Sequence, residues 1–267
     1  MPLRAREHAL HLHAWLALAL ALVAAAATVG ARDLMPGIIG TDDRKLVDRP
    51  GPPWDAIGQV NIGGYRRLTK CTGTLVAADV VVTAAHCVVD PATGQPFADH
   101  RIHFVPGSRA GTGSAHSVAR CVRLPDGYTY LPRSAMEHAQ PMPGVLPRLL
   151  ANDVAAIILK DALPIPPVAI TEAEPQGAVL AHAAYAADRR YALSVHEGCA
   201  KLQMPGAEPL WATDCDTHPA SSGGPLLVSE DGQPRLAGTM LAVVSHRFNL
   251  ALPARLWRGF VTSARCD

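Results

Sequence analysis

Proline and glycine supply 23 and 22 of the 267 residues, and beyond the first thirty or so positions they interrupt the chain roughly every ten residues. That spacing leaves little room for a long helix, because proline removes a backbone donor and glycine adds backbone freedom that folding must then restrict. Between the breaks lie short β-branched or alternating apolar runs, a pattern that suits a sandwich or barrel. The runs predict strands over residues 56–62, 72–76, 80–83, 101–105, 117–123 and 154–159. A second set is predicted over 178–185, 191–195, 200–204, 210–214, 225–228 and 235–244. Leu163-Pro164-Ile165-Pro166-Pro167 divides the two sets and interrupts sheet pairing, as a crossover between two lobes would. Helix is expected in two places only, the turn at 84–87 and the tail from Pro253 to about Ser263. In the tail Leu256, Trp257, Phe260 and Val261 would share one face. Residues 126–148 show no period and read as a long surface loop.

Arg4 and Arg6 precede an apolar run from Ala14 to Ala27, and small residues lead on to Ala31. Basic head, short apolar middle and small-residue exit are the parts of a secretory signal, so residues 1–31 are expected to be removed before Arg32, with a cut before Thr28 as an alternative. An uncleaved membrane anchor is the competing reading, but His11 and His13 shorten the run below the roughly 20 residues a span needs. The remaining 32–267 segment carries six cysteines, an even number that favours disulfides in an exported chain. The formal net charge is +1 with both signs interspersed, so no basic surface for nucleic acid is expected. His103, His116 and His196 lack ligand spacing, and neither a metal nor a cofactor is expected. The chain is read as secreted or periplasmic, monomeric, and without stable membrane association once the leader is gone.

Three short runs carry chemistry: Thr83-Ala84-Ala85-His86-Cys87, Asn152-Asp153-Val154-Ala155 and Ser221-Ser222-Gly223-Gly224-Pro225. They supply a base, an acid to orient it and a hydroxyl to be activated. Asp153 stands at the mouth of an apolar strand, where burying a charge is costly without a hydrogen-bonding partner. Glycines after Ser222 let backbone approach a substrate and aim N–H groups at developing negative charge. Read singly, His86 could be structural, Asn152-Asp153 a turn, and the serine-glycine run a loop.

Together and in this order, the runs resemble those of chymotrypsin-like serine peptidases. That resemblance implies an all-β fold of two six-stranded antiparallel β-barrels with a short C-terminal helix, the N-terminal barrel over about 54–162 and the C-terminal one over about 168–267. It implies a secreted serine endopeptidase acting on a protein or peptide substrate, with His86, Asp153 and Ser222 as the triad, and the backbone N–H groups of Ala220 and Ser222 as the oxyanion hole. Further likeness lies in Ile38-Ile39-Gly40-Thr41-Asp42-Asp43-Arg44, in Cys71-Thr72-Gly73-Thr74-Leu75 and in the run from Cys215 to Ser222. These resemble bacterial glutamyl-endopeptidase-like enzymes more than trypsin.

Two departures stand out. Ala220 replaces a glycine, at a cost on the order of 1 kcal/mol if the position needs positive φ. Ser221 replaces the aspartate that, in trypsin-type zymogens, pairs with a newly freed amino terminus, so this chain cannot use that ion pair. The resemblance also implies a Cys71–Cys87 bridge. Cys199 and Cys215 bracket the hairpin before Ser222 and are expected to pair, which leaves Cys121–Cys266 among fifteen possible connectivities. Asp216 precedes Ser222 by the offset of trypsin's selector, but the cysteine spacing differs. Asp216-Thr217 is therefore expected to brace the loop. Met240 and Leu241 stand where glutamate-selective relatives carry a histidine, and the nearest histidine is His246, so an apolar or small S1 pocket is expected. A catalytically silent binding protein and an esterase-type acyl hydrolase are the alternatives, although an α/β-hydrolase would order its triad Ser, Asp, His.

Overall fold

The structure is a computed structural model that describes residues 37–49, 51–66, 71–110, 112–132, 145–172, 174, 177–243 and 247–267. The expected leader at 1–31 lies outside the described residues, as do His246 and most of the 126–148 loop.

Six strands close the first barrel: β2 (Ile57–Ile62), β3 (Cys71–Ala77), β4 (Val80–Thr83), β5 (Ile102–Pro106), β6 (Ser117–Arg123) and β7 (Ala155–Leu159). The ring runs β2-β3-β4-β7-β6-β5 and closes where Gly58 to Ile62 pair with Pro106 to Ile102. Every residue of β4 and β7 is buried, which matches the apolar run of β7 and the three valines of β4 before Thr83. Leu75, Val81, Phe104, Ile157 and Leu159 fill the interior.

The second barrel comprises β8 (Val179–Ala184), β9 (Ser194–Leu202), β10 (Trp211–Thr213), β11 (Pro225–Glu230), β12 (Gln233–Val243) and β13 (Asn249–Pro253). Its order β9-β10-β13-β12-β11-β8 closes through pairing of β8 with β9. A short β1 (Lys45–Leu46), from before the first barrel, adds itself to β9 at Val195 and Ser194. The all-β double barrel anticipated from the sequence is thus the fold observed.

Three local expectations need correction. Residues 191–195 and 200–204 were expected as separate strands, but β9 runs unbroken from Ser194 to Leu202. Gly198, at φ +88°, is the extra residue where the register steps from Leu180↔Cys199 to Ala181↔Glu197, so the glycine makes a bulge and the strand continues. The sixth strand is β13, whose apolar residues were overlooked beside the predicted tail helix. That tail divides into a 3₁₀ turn at Ala254–Leu256 and a helix, α2, at Arg258–Ser263. Trp257 and Val261 are buried, but Leu256 belongs to the preceding turn and is exposed. Finally, the C-terminal part of the expected 126–148 loop forms one helical turn, α1 (Val145–Leu149), which Leu146 and Leu150 anchor in the core.

All six cysteines are bridged. Cys71–Cys87 ties β3 to the turn after β4, Cys199–Cys215 spans 16 residues in the second barrel, and Cys121–Cys266 joins β6 to the C-terminal tail. Arg123 reinforces the last link by donating to Arg265 O and pairing with Asp267.

Candidate active site

Thr83 ends a fully buried strand, and the chain then turns through a 3₁₀ segment, Ala85–Cys87, fixed at its end by the bridge to Cys71. His86 is therefore carried on a short turn clamped on both sides. Its side chain is 33 % exposed, and that of Asp153 is 6 % exposed.

The Asp153 carboxylate uses both oxygens on this one residue. Oδ1 accepts the His86 backbone N–H at 2.9 Å, and Oδ2 lies 2.7 Å from His86 Nδ1. A carboxylate only accepts, so Nδ1 carries a proton. Two charge-assisted bonds supply the partner that a buried aspartate needs at the head of β7. Tyr128 packs in the same region, and burial followed by the Asp153 charge pushes its phenol well above its ordinary pKa.

Ser222 hangs between the barrels. Its carbonyl accepts Thr72 N–H of β3 at 2.9 Å and lies 3.7 Å from Cys87 Sγ, while Gly223 N–H donates to Met240 O of β12 at 2.8 Å. A ring nitrogen of His86 stands within 4.8 Å of the sulfurs of both Cys71 and Cys87. The Ser222 backbone carbonyl and a His86 ring nitrogen thus both lie near the same disulfide, and the Ser222 hydroxyl donates to Leu241 O at 3.1 Å. Gly223 has no substitute here: at φ +82°, an added Cβ would lie 2.1 Å from both Thr72 O and Thr83 Oγ1.

Ala220 adopts φ +76°, so the position does take the left-handed conformation that glycine would occupy freely. Its carbonyl accepts Thr72 Oγ1–H at 3.2 Å, and Thr72 Oγ1 in turn accepts Tyr185 N–H at 3.0 Å. Thr72 received no role from sequence reasoning, although the Cys-Thr-Gly-Thr run around it had been singled out.

Asp216 is fully buried and braces the loop's approach through contacts that span the chain. Its oxygens accept the N–H groups of Ile39 and Asp43, each at 2.8 Å, and its own N–H donates to His196 Nδ1. With both oxygens engaged and no exposure, it cannot face a substrate cation. The other ligand-type clusters, Cys71-His86-Cys87 and Cys199-Asp214-Cys215, hold disulfide sulfurs and so lack thiolate donors.

Behind the loop, the buried His182 lies with Nδ1 3.0 Å from Pro225 O and Nε2 3.2 Å from Thr217 Oγ1. The carbonyl assigns the proton to Nδ1, and the threonine hydroxyl donates to Nε2. Burial above all, with smaller contributions from His196 and Arg44, depresses its pKa to about 4, and the bond to Pro225 only partly opposes this. The unfolded imidazole takes up its proton near pH 6.5, the native one only near pH 4, so this contribution to stability is present above pH 6.5 and lost as pH falls between the two. The loss amounts to about 3 kcal/mol. Denaturant titrations at pH 7 and pH 4 should therefore show a loss for the wild type that exceeds the loss for His182→Asn by about that much. Equal losses in the two proteins would contradict the buried neutral imidazole.

Residues 71–235 match the family described as "Trypsin-like peptidase domain". A 63-residue stretch is 38 % identical to a CLIP domain-containing serine protease B15 of Anopheles gambiae, covering 24 % of this chain and 16 % of that protein. The chain thus matches about a sixth of that relative's length. In three dimensions it is similar to a Glu endopeptidase solved in complex with MPD, with a TM-score of 0.65 at 20 % identity over 85 % of this chain and all of the other.

Proposed function

Because the chain belongs to the trypsin-like peptidase domain family, we propose that it is an exported serine endopeptidase in which His86, Asp153 and Ser222 hydrolyse peptide bonds through an acyl-enzyme. The observation that carries this reading is the Asp153 carboxylate, which holds the His86 backbone and Nδ1–H together while Ser222 is stapled beside the Cys71–Cys87 bridge. In the proposed mechanism Ser222 Oγ attacks the scissile carbonyl, His86 Nε2 takes the hydroxyl proton, and the imidazolium then protonates the departing amine. Water repeats the sequence on the acyl-enzyme. Asp153 orients the ring and stabilises its cationic form, and the Ala220 and Ser222 N–H groups receive the oxyanion.

The buried, fully engaged Asp216 argues against selection of basic P1 residues, and the apolar Met240 on β12 argues against strict selection of acidic ones. An apolar or small P1 side chain fits best. Three disulfides favour an oxidising compartment, and among the described residues no helix is long and apolar enough to cross a membrane.

The test is treatment of the mature protein with a fluorophosphonate, followed by a casein assay, a peptide library and mass mapping of the adduct. The expected result is loss of cleavage with the adduct on Ser222. An adduct on Ser222 in a protein that cleaves no peptide would indicate an acyl hydrolase of another kind, and neither adduct nor cleavage would indicate a binding protein.

A further inference from the structure

The Ile38–Arg44 run was singled out by sequence, yet no step of the mechanism above uses it. In the structure it lies against the second barrel, far in sequence from everything it touches. Gly37 O accepts Thr217 N–H at 3.0 Å and Asn249 Nδ2 at 2.9 Å, while Ile39 and Asp43 donate to Asp216. Arg44, only 6 % exposed, is the centre of a charge cluster. Its guanidinium donates to Asp42 through Nε and Nη2, both at 2.9 Å, and to Asp188 through Nη1 at 3.2 Å and Nη2 at 2.7 Å. Arg189 closes the cluster, donating to Arg44 O at 2.6 Å and Asp42 Oδ2 at 2.7 Å. Burial alone would disfavour the Arg44 charge, but the two carboxylates outweigh it and raise the pKa above the usual arginine value.

The turn gripped by Arg44 reaches the nucleophile loop directly. Ala187 N–H, next to Asp188, donates to Pro219 O at 2.7 Å, and His218 Nδ1 stands 3.5 Å from Asp188 Oδ1. The Pro219–Ala220 bond is a planar trans peptide, so its N–H points opposite to its C=O. Once Pro219 O is held on Ala187, the Ala220 N–H must point away from that turn. Ala220 needs such restraint more than a glycine would, since its φ of +76° is one that alanine resists. Ser221 is uncharged and cannot supply the aspartate ion pair that organises this loop in trypsin-type enzymes.

We infer that Arg44 is a positioning residue: by holding the turn at 187–190 it fixes the Pro219–Ala220 peptide and so aims the Ala220 N–H as an oxyanion donor. This rests on the proposed role of Ala220 in the oxyanion hole. It assigns to an internal arginine, within the chain's own N-terminal segment, the organising task that Ser221 cannot perform.

The experiment compares the mature enzyme with Arg44→Gln, Ala220→Gly and the double variant, assayed well below their melting temperatures. Arg44→Gln should lower kcat about 10- to 100-fold with KM within about threefold, because loss of one oxyanion donor acts on the transition state. It should also move the backbone amide resonance of Ala220. Adding Ala220→Gly should restore about tenfold or more of kcat, since glycine has no bias against positive φ. A merely structural arginine gives no such rescue. An unchanged kcat, an unmoved Ala220 resonance, or a loss that Ala220→Gly leaves untouched would each overturn the inference. If Arg44→Gln does not fold, Arg44→Lys keeps the charge without the two-carboxylate fork and should show the same pattern to a smaller degree. If the wild type cleaves no peptide, the peptidase reading fails, and the Ala220 resonance still decides whether Arg44 positions the loop.

Discussion

Ser222→Ala should lower peptide hydrolysis by about a million-fold while leaving the melting temperature close to that of the wild type. The two halves of this expectation come from different atoms of one residue. Its backbone carbonyl holds Thr72 N–H at 2.9 Å, and the neighbouring Gly223 N–H holds Met240 O at 2.8 Å. Alanine keeps these bonds, so the loop stays docked between the barrels. Among the described residues the hydroxyl bonds Leu241 O at 3.1 Å, and losing that bond from a half-buried position leaves a carbonyl to be met by solvent. Chemistry, in contrast, loses its nucleophile outright. Adding His86→Ala to Ser222→Ala should then cost almost nothing more, because a base with no hydroxyl to activate has no task. The measurement is single-turnover hydrolysis of a chromogenic peptide with thermal melts of the same samples. Residual cleavage above about one part in a thousand, or additive losses in the double variant, would show that Ser222 is not the attacking group.

What the sequence disclosed and what it concealed follow from how far each signal extends along the chain. Strands β4 and β6 were readable to the residue, at Val80–Thr83 and Ser117–Arg123, because a buried or alternating run is a local property. Gly198 misled because glycine in a strand looks the same whether it ends the strand or bulges it, and only the partner β8 decides. Strand β13 was hidden for a related reason: Asn249 to Pro253 is short and runs into a helical tail, so pairing with β10 and β12 defines it. For the proposed site, histidine, aspartate and serine could be nominated from sequence because each sits in its own compact motif. The Arg44 cluster was not, since Arg44 and Asp188 are 144 positions apart and nothing local says that one buries the charge of the other. The same is true of Thr72, which holds Ala220 O across 148 positions. Asp216 was expected to brace its loop, but the backbone N–H groups through which it does so, those of Ile39 and Asp43, lie 177 and 173 positions away.

Asp153→Asn should cost about 10⁴-fold in kcat, although it changes one atom and removes no bulk. The geometry says why. Asp153 Oδ1 accepts the His86 backbone N–H, a donor that cannot become an acceptor, and Oδ2 accepts the Nδ1 proton. Asparagine offers one oxygen and one NH₂ in place of two oxygens. The backbone N–H claims the oxygen, so the NH₂ must face Nδ1. Nδ1 can meet it only as an acceptor, and the ring proton moves to Nε2. A protonated Nε2 cannot take the proton of Ser222, so the base is disabled by its tautomer while its position is kept. Asp153→Ala should be no more active, since it also abandons the backbone N–H of His86. Nitrogen-15 spectra of the imidazole give an independent reading: the proton should sit on Nδ1 in the wild type and on Nε2 in Asp153→Asn. Wild-type kcat in that variant, or an unchanged tautomer, would mean that the carboxylate does not set the state of His86.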